Sequence, residues 1–472
     1  MTEADTVPGG RAAVSLGAVV LAVWMAAAAA SAQEGAAPPD TGRSAIAAAA
    51  GGGERWSLAR CVATALERNV DARSAHARTV QARGGALGAW GGVLPTISAG
   101  LVYGYQIPDK QSSVFFVDSL AFLTKRRQQE GASAGVEANL LSLPSWSEKR
   151  RQDHLRAGAV ESEAEARNGV VYAVKQQYFE LLKSERLAEV SRESERLARD
   201  EEARAEALFQ VGTVARGDVL KARARRAQTQ LDRIRAENQV EIQRSRLKQV
   251  LGLKPETALE IEGLLDETIA VPDSASAVER ALKERPELGR AGAAERAARA
   301  GLFGARAARL PQISGALSVD RTKYTNRLEQ LGVAEFDDTH YATVWQGQVR
   351  LSLPIFDGFA LEGGMKSAKG ALLEAEAQRR QRELDVAVEV QQAWLSLREA
   401  VERIGVAKEG LASAEEDYKF SKGRYDLGAG TILDLLNAEV SLAQAKQSYV
   451  ESLADAHVAE AALERAVGER RY

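Results

Sequence analysis

From Ile97 hydrophobic and polar positions alternate: Ile97, Ala99, Leu101, Tyr103, Tyr105 and Ile107 are apolar, while Thr96, Ser98, Gly100, Gly104 and Gln106 are small or polar. A return segment puts Ala132, Ala134, Val136, Ala138 and Leu140 on one face and Glu137 and Asn139 on the other. Further on, Ile313, Leu317 and Val319 alternate with Ser314, Ser318 and Asp320. Tyr341, Thr343, Trp345, Val349 and Leu351 alternate with Gln346, Gln348, Arg350 and Ser352. A period of two predicts strands at 95–107, 131–141, 312–320 and 341–353. An ordinary sandwich strand fits this pattern as well as a transmembrane barrel strand does. Gln346, Gln348 and Arg350 favour the barrel, because they suit a wet lumen.

After Pro144 and Pro354 the period changes. Residues 145–209 hold no proline and only Gly158 and Gly169, which predicts a helix on the order of 100 Å long at ~1.5 Å per residue. A second helix is predicted at 218–251. Its small and apolar residues at 220, 224, 227, 231 and 234 mark a packing seam. Helices at 358–425 and 432–467 repeat the arrangement, and shorter helical stretches at 56–90 and 275–309 precede each strand pair.

The layout recurs because the chain is one unit written twice. Gly212 and Gly428 stand 216 positions apart, as do Asp218 and Asp434, Gly252 and Gly468, and Pro95 and Pro311. The repeats are 56–252 and 275–468, with 253–274 as an inter-repeat, equatorial linker and 469–472 as a tail. Each reads helix, two strands, long helix, tight turn, helix. The turns fall at Val211-Gly212 and Leu427-Gly428, where glycine permits a positive φ, and Thr213 or Thr431 would help start the next helix.

Composition adds mainly exclusions. With 62 basic and 65 acidic residues, no net field calls for a nucleic acid or an anionic surface. The lone Cys61 permits no intrachain disulfide. The four histidines, 76, 154, 340 and 457, are scattered, so no metal or cofactor site is expected. GGGE at 51–54 lacks the Lys-Ser/Thr of a nucleotide loop. At the N-terminus Arg11, the apolar run 12–30 and Ser-Ala-Gln at 31–33 read as a signal peptide, residues 1–32, cut after Ala32. A flexible Ala/Gly/Pro leader, 33–55, comes next.

Four strands cannot close a membrane barrel, since outer-membrane barrels start at eight and an open edge in lipid leaves backbone groups unpaired. Several subunits must therefore share one barrel. Two copies give eight strands and three give twelve.

The phrase YDLGAGTILDLLNAEVSLAQAKQSYV at 425–450, its earlier counterpart at 209–234 and LSLPIFDG at 351–358 resemble the TolC family of outer-membrane efflux proteins. The resemblance covers 56–470. It implies a membrane β-barrel joined to a long α-helical coiled-coil barrel, internally duplicated, with four strands per protomer and 12 strands per trimer. The implied function is the exit duct of a tripartite efflux or type I secretion system, in the outer membrane with its tunnel reaching into the periplasm. Such a duct is no enzyme; an inner-membrane RND or ABC-type pump drives it through a periplasmic adaptor.

The resemblance also implies site roles. Val211, Gly212, Leu427 and Gly428 fall at the hairpin tips that meet the adaptor. Asp434 matches an acidic residue lining the periplasmic aperture, and Asp218 is its repeat equivalent. Asn437 stands where the family has a second acidic residue, and Gly430 where a basic residue ties the closed state. Without the resemblance, a periplasmic or surface coiled-coil scaffold remains an alternative. An envelope hydrolase with paired carboxylates is the weaker one, because the acidic residues are spread along helix faces.

Overall fold

A computed structural model describes residues 55–107, 114–117, 120–330 and 334–469. The expected signal peptide, the leader up to residue 54 and residues 470–472 of the tail lie outside the described residues. The chain runs α1 (Leu58–Arg68), α2 (Val70–Gly88), β1 (Thr96–Gln106), β2 (Val114–Val117), β3 (Leu120–Leu141), α3 (Leu143–Gln210) and α4 (Arg216–Val250). It continues with α5 (Ser274–Glu284), α6 (Pro286–Ala307), β4 (Gln312–Gln330), β5 (Ala334–Ser352), α7 (Ala360–Asp426) and α8 (Ile432–Val467).

The short helices are each broken once, where the sequence suggests single segments. Asn69 ends α1 and, in extended backbone, caps α2 by accepting from the amides of Asp71 and Ala72. Arg285 sits between α5 and α6, ahead of Pro286, which begins α6. A residue before proline is steered out of the helical region.

All strands lie in one antiparallel sheet, ordered β1–β3–β4–β5, with β2 pairing the far end of β3. The strands extend well past the alternating stretches: β3 has 22 residues and β4 and β5 have 19 each. Much of the extra length is polar on both faces, apart from the apolar residues at 120–123, Leu328 and Phe336. Arg127, Asn326 and Asp338 stand side by side there, as do Glu130, Lys323 and Tyr341. A hydrophobicity pattern loses sight of a strand that has no apolar face.

Nearer the helices, the register gathers the apolar residues on one face. Ile97 pairs with Val136 and Val136 with Leu317; Ala99, Ala134, Val319 and Trp345 form the next row. The other face carries Ser98, Gly135, Ser318 and Gln346 in one row and Gly100, Ser133, Asp320 and Val344 in the next.

Below the sheet the four long helices pack in the order α4, α3, α8, α7. At ~1.5 Å per residue the 68 residues of α3 span on the order of 100 Å. Among the described residues no helix is long and apolar enough to cross a membrane. Two cores hold the row together at mid-height. One contains Cys61, Ala65, Val170, Val174, Leu181, Leu247 and Leu251; the other contains Ala277, Ala281, Val386, Val390, Leu397, Leu463 and Val467. Each residue of the second set stands 216 positions after its counterpart in the first.

The linker crosses the row at this level. Trp56 pairs in parallel with Ile261, and the Tyr178 hydroxyl donates to the carbonyl of Glu262. The indole of Trp394, again 216 positions beyond Tyr178, donates to the carbonyl of Pro272 at 2.7 Å. The Tyr449 hydroxyl and the Lys408 ammonium both hold Glu267 at 2.5 Å.

The seam expected in α4 needs correction. Leu220, Ala224, Ala227, Leu231 and Ile234 do not form the contact with α3: Leu220, Leu231 and Ile234 are 53%, 41% and 49% exposed in the protomer. The face of α4 turned to α3 is the neighbouring frame, Val219, Ala222, Arg226, Thr229, Arg233, Ala236, Val240, Gln243 and Leu247, spaced alternately three and four. Two arginines occupy that seam because α3 supplies acids: Arg226 meets Glu202 at 2.9 Å and Arg233 meets Glu195 at 2.6 Å. In α8 the corresponding set divides, with Leu436 buried and Val440 and Gln447 exposed.

Candidate channel, gate and docking tips

The two hairpin tips share one backbone solution. In the first, the amide of Gly212 donates to Phe209 O at 3.0 Å and that of Thr213 to Leu208 O at 3.0 Å. In the second, Gly428 donates to Tyr425 O at 3.1 Å and Ala429 to Arg424 O at 2.8 Å. This paired pattern is the Schellman closure, which needs a left-handed residue after the helix. Gly212 has φ +80° and Gly428 φ +72°. Open space surrounds both glycines, so conformation rather than crowding calls for glycine here. Val211 and Leu427, the cap residues just before them, are strongly exposed at 72% and 86%.

Past the glycines the two tips diverge. Thr431 caps α8 in a reciprocal box: its hydroxyl accepts from the Asp434 amide and the Asp434 carboxylate accepts from the Thr431 amide, both at 3.2 Å. In the first tip Ala215 is the cap residue and supplies no side-chain bond. Thr213 does not start that helix; its hydroxyl donates backward to Leu208 O at 2.9 Å. Asp218, in the first turn of α4, meets Lys221 at 3.2 Å.

Asp434 and Asn437 are three apart on α8 and both exposed, so they share one face. The hydrogen bonds from Thr431 hold the Asp434 carboxyl below the usual range, and the Arg424 guanidinium adds to this. Gly430 has a steric reason. A Cβ there would sit 3.1 Å from Arg424 Cβ and 3.2 Å from the Tyr425 amide nitrogen. The cation present at this tip is Arg424, whose guanidinium donates to Ala429 O at 3.1 Å. Sequence reasoning passed over Arg424, since it precedes the turn rather than lying within it.

It also passed over two buried carboxylates just inside the tip, Glu201 and Glu439. Glu439 lies four residues after Leu435 and three before Leu442, so the helical period alone puts it on the packed arc.

Among the described residues no three His, Cys, Asp or Glu side chains gather in a metal-binding group. The histidines stay apart: His76 meets Glu163 at 3.1 Å, His340 stacks on Tyr324 and His457 on Phe179. Cys61 is fully buried, and burial pushes its thiol up to about 12.

A sheet with one apolar face thus stands on a long antiparallel helical row. The family model for "Outer membrane efflux protein" matches the chain twice, at residues 61–253 and 277–469. The chain belongs to that family, which includes TolC and related efflux proteins.

Protein CyaE of Bordetella pertussis is 26% identical over 294 residues, covering 62% of this chain and 60% of that protein. Outer membrane protein TolC of Escherichia coli K12 is 26% identical over 247 residues, covering 51% and 49%. The chain thus spans about half to three-fifths of these relatives. Among solved structures, CusC superposes with a TM-score of 0.72 at 17% identity, covering 87% of this chain and 91% of that one. The CmeC outer membrane channel of Campylobacter jejuni gives 0.71 at 18%, covering 87% and 85%.

Proposed function

We propose that three copies of this internally duplicated chain close a 12-stranded barrel in the outer membrane and continue it as a helical tunnel into the periplasm. The assembly is a passive exit duct, without chemistry of its own, for cargo brought by an inner-membrane RND or ABC-type pump through a periplasmic adaptor. The observation that carries this reading is the sheet itself. Its apolar face crosses all four strands in the row Ala99, Ala134, Val319 and Trp345, yet β1 and β5 each have only one partner among the described residues. In lipid such edges must be paired by other chains.

The helices support the same closure. The outer members of the row, α4 and α7, carry unpartnered apolar residues: Leu220, Leu231 and Ile234 on one, and Leu384, Val388 and Leu395 on the other. Two different patches at opposite ends of a row make a head-to-tail contact, which closes into a ring. Eight strands from two copies also satisfy the barrel rule; the family resemblance favours three.

In this reading Val211, Gly212, Leu427 and Gly428 dock the adaptor. Asp434 and Asn437, with Asp218 as the repeat equivalent, face the periplasmic aperture. Three copies bring one Asp434 each, a weak cation-attracting ring, and Gly430 provides no latch. The test is conductance of the purified protein in a planar bilayer. Asp434→Ala is expected to lower cation selectivity or divalent-ion block from the periplasmic side, and Asn437→Ala to alter closure more than selectivity. Unchanged selectivity and block in Asp434→Ala would remove Asp434 from the aperture and leave it a helix cap.

A further inference from the structure

Beyond the tip core of Ala205, Val219, Ala222, Ile432 and Leu436, the long helices enclose two carboxylates. Glu201 of α3 is 6% exposed and Glu439 of α8 is 5% exposed. Oε1 of Glu439 is buried and has no hydrogen-bond partner. A neighbouring subunit cannot supply one, because the atom offers it no surface. The cavity beside Glu439, between α3, α4 and α8, measures about 10 Å³, room for one water molecule at most.

The groups facing this layer are Arg225 from α4, Tyr418, Lys422 and Tyr425 from α7, and Asp200, Arg204 and Asp426 alongside Glu201. Within α3 and α8, Glu193 and Lys446 neutralise one another at 2.8 Å. Arg204 is taken by Asp426 at 2.6 Å. Among the described residues no ion pair joins Glu201 or Glu439 to any of these cations. Ionising Glu439 here would place a charge without full hydration next to a second carboxylate.

We propose that the Glu201–Glu439 layer is a proton-operated catch on the periplasmic tip. With Glu439 protonated α8 stays packed on α3 and α7. When Glu439 ionises, α8 separates and carries Asp434 and Asn437 outward with it. This rests on the channel reading above. Burial first, then the Glu201 charge, pushes the Glu439 carboxyl up to about 7, and burial raises Glu201 as well.

The packed state holds a proton that the separated, hydrated state releases. Packing is therefore fully favoured below the ordinary carboxylate value of 4.5, weakens as pH rises, and has lost this contribution above about 7. A displacement of that size corresponds to a change of roughly 300-fold in the packed-to-separated ratio of each subunit.

The experiment is planar-bilayer conductance between about pH 5 and 8, paired with amide hydrogen exchange of residues 432–442 in the detergent-solubilised protein, corrected for the intrinsic effect of pH. The wild-type channel is expected to open, and exchange at 432–442 to quicken, as pH rises. Glu439→Gln, which keeps shape without charge, is expected to stay closed and insensitive. Glu201→Gln, which removes the repelling neighbour, should move the wild-type transition to lower pH. A Glu439→Gln protein that keeps the wild-type pH response, or a wild-type tip whose exchange does not change with pH, overturns the catch. Absence of conductance at every pH, with exchange still pH-dependent, overturns the channel reading and leaves the catch standing.

Discussion

At the scale of single residues, the two tips are alike in what the backbone requires and unlike in what their side chains supply. Gly212 and Gly428 adopt left-handed conformations at φ +80° and +72°, so any Cβ there costs on the order of 1 kcal/mol even in open space. Only the second tip has a side-chain cap. Thr431→Ala is expected to lose about 1 kcal/mol of local stability, read as faster amide exchange at 432–435. Ala215→Ser is expected to slow exchange at the start of α4. Ala215 already has the extended backbone of a cap residue, with φ −78° and ψ 150°, and lacks only the oxygen. If both substitutions leave exchange unchanged, tertiary packing rather than capping holds these helix starts.

At the scale of elements, the linker is held by donors that recur between the repeats. Tyr178 and Trp394 are large aromatics rooted in the two long helices α3 and α7, and each spends its one polar hydrogen on a linker carbonyl. Tyr178→Phe and Trp394→Phe keep an aromatic ring and orphan those carbonyls, so each is expected to cost ~1–2 kcal/mol. The check is thermal or denaturant unfolding of the detergent-solubilised protein. A loss confined to one of the two variants would mean that the linker is anchored at one end only. Truncation inside the cores is expected to act more strongly: Leu397→Ala, at a site 1% exposed, should cost ~2–5 kcal/mol.

At the scale of the whole molecule, what the protomer leaves uncovered is the guide to its assembly. Leu231 and Ile234 lie on the outward frame of α4 and touch none of its own core. Leu231→Glu with Ile234→Glu is therefore expected to leave helix content intact while shifting the detergent-extracted protein from the proposed trimer to monomer, as measured by mass with the detergent contribution removed. A trimer that survives the double substitution would place the subunit contact elsewhere. On the sheet, Val349→Arg puts a charge into the apolar band beside Gly315. It is expected to cost ~2–4 kcal/mol near the bilayer midplane, seen as reduced recovery in the outer-membrane fraction.

The sequence by itself determined most of the features that depend on local chain chemistry, though not the breaks at Asn69 and Arg285. The period of two located the apolar part of each strand, the long glycine-poor stretches located the rods, and the recurrence at 216 positions located the left-handed glycine of each tip. It also picked out an apolar frame on α4, but that frame is not the one packed on α3. A heptad pattern states that a face must be covered, not by which helix. Only the tertiary structure decided that α3 packs against the neighbouring frame through Arg226–Glu202 and Arg233–Glu195, leaving the more apolar frame outward. The same holds for the polar halves of β3, β4 and β5, which exist because adjacent strands supply hydrogen bonds, a long-range effect that no local pattern records. It holds as well for Glu201 and Glu439, more than two hundred residues apart, whose burial together depends on helices from both repeats meeting at the tip.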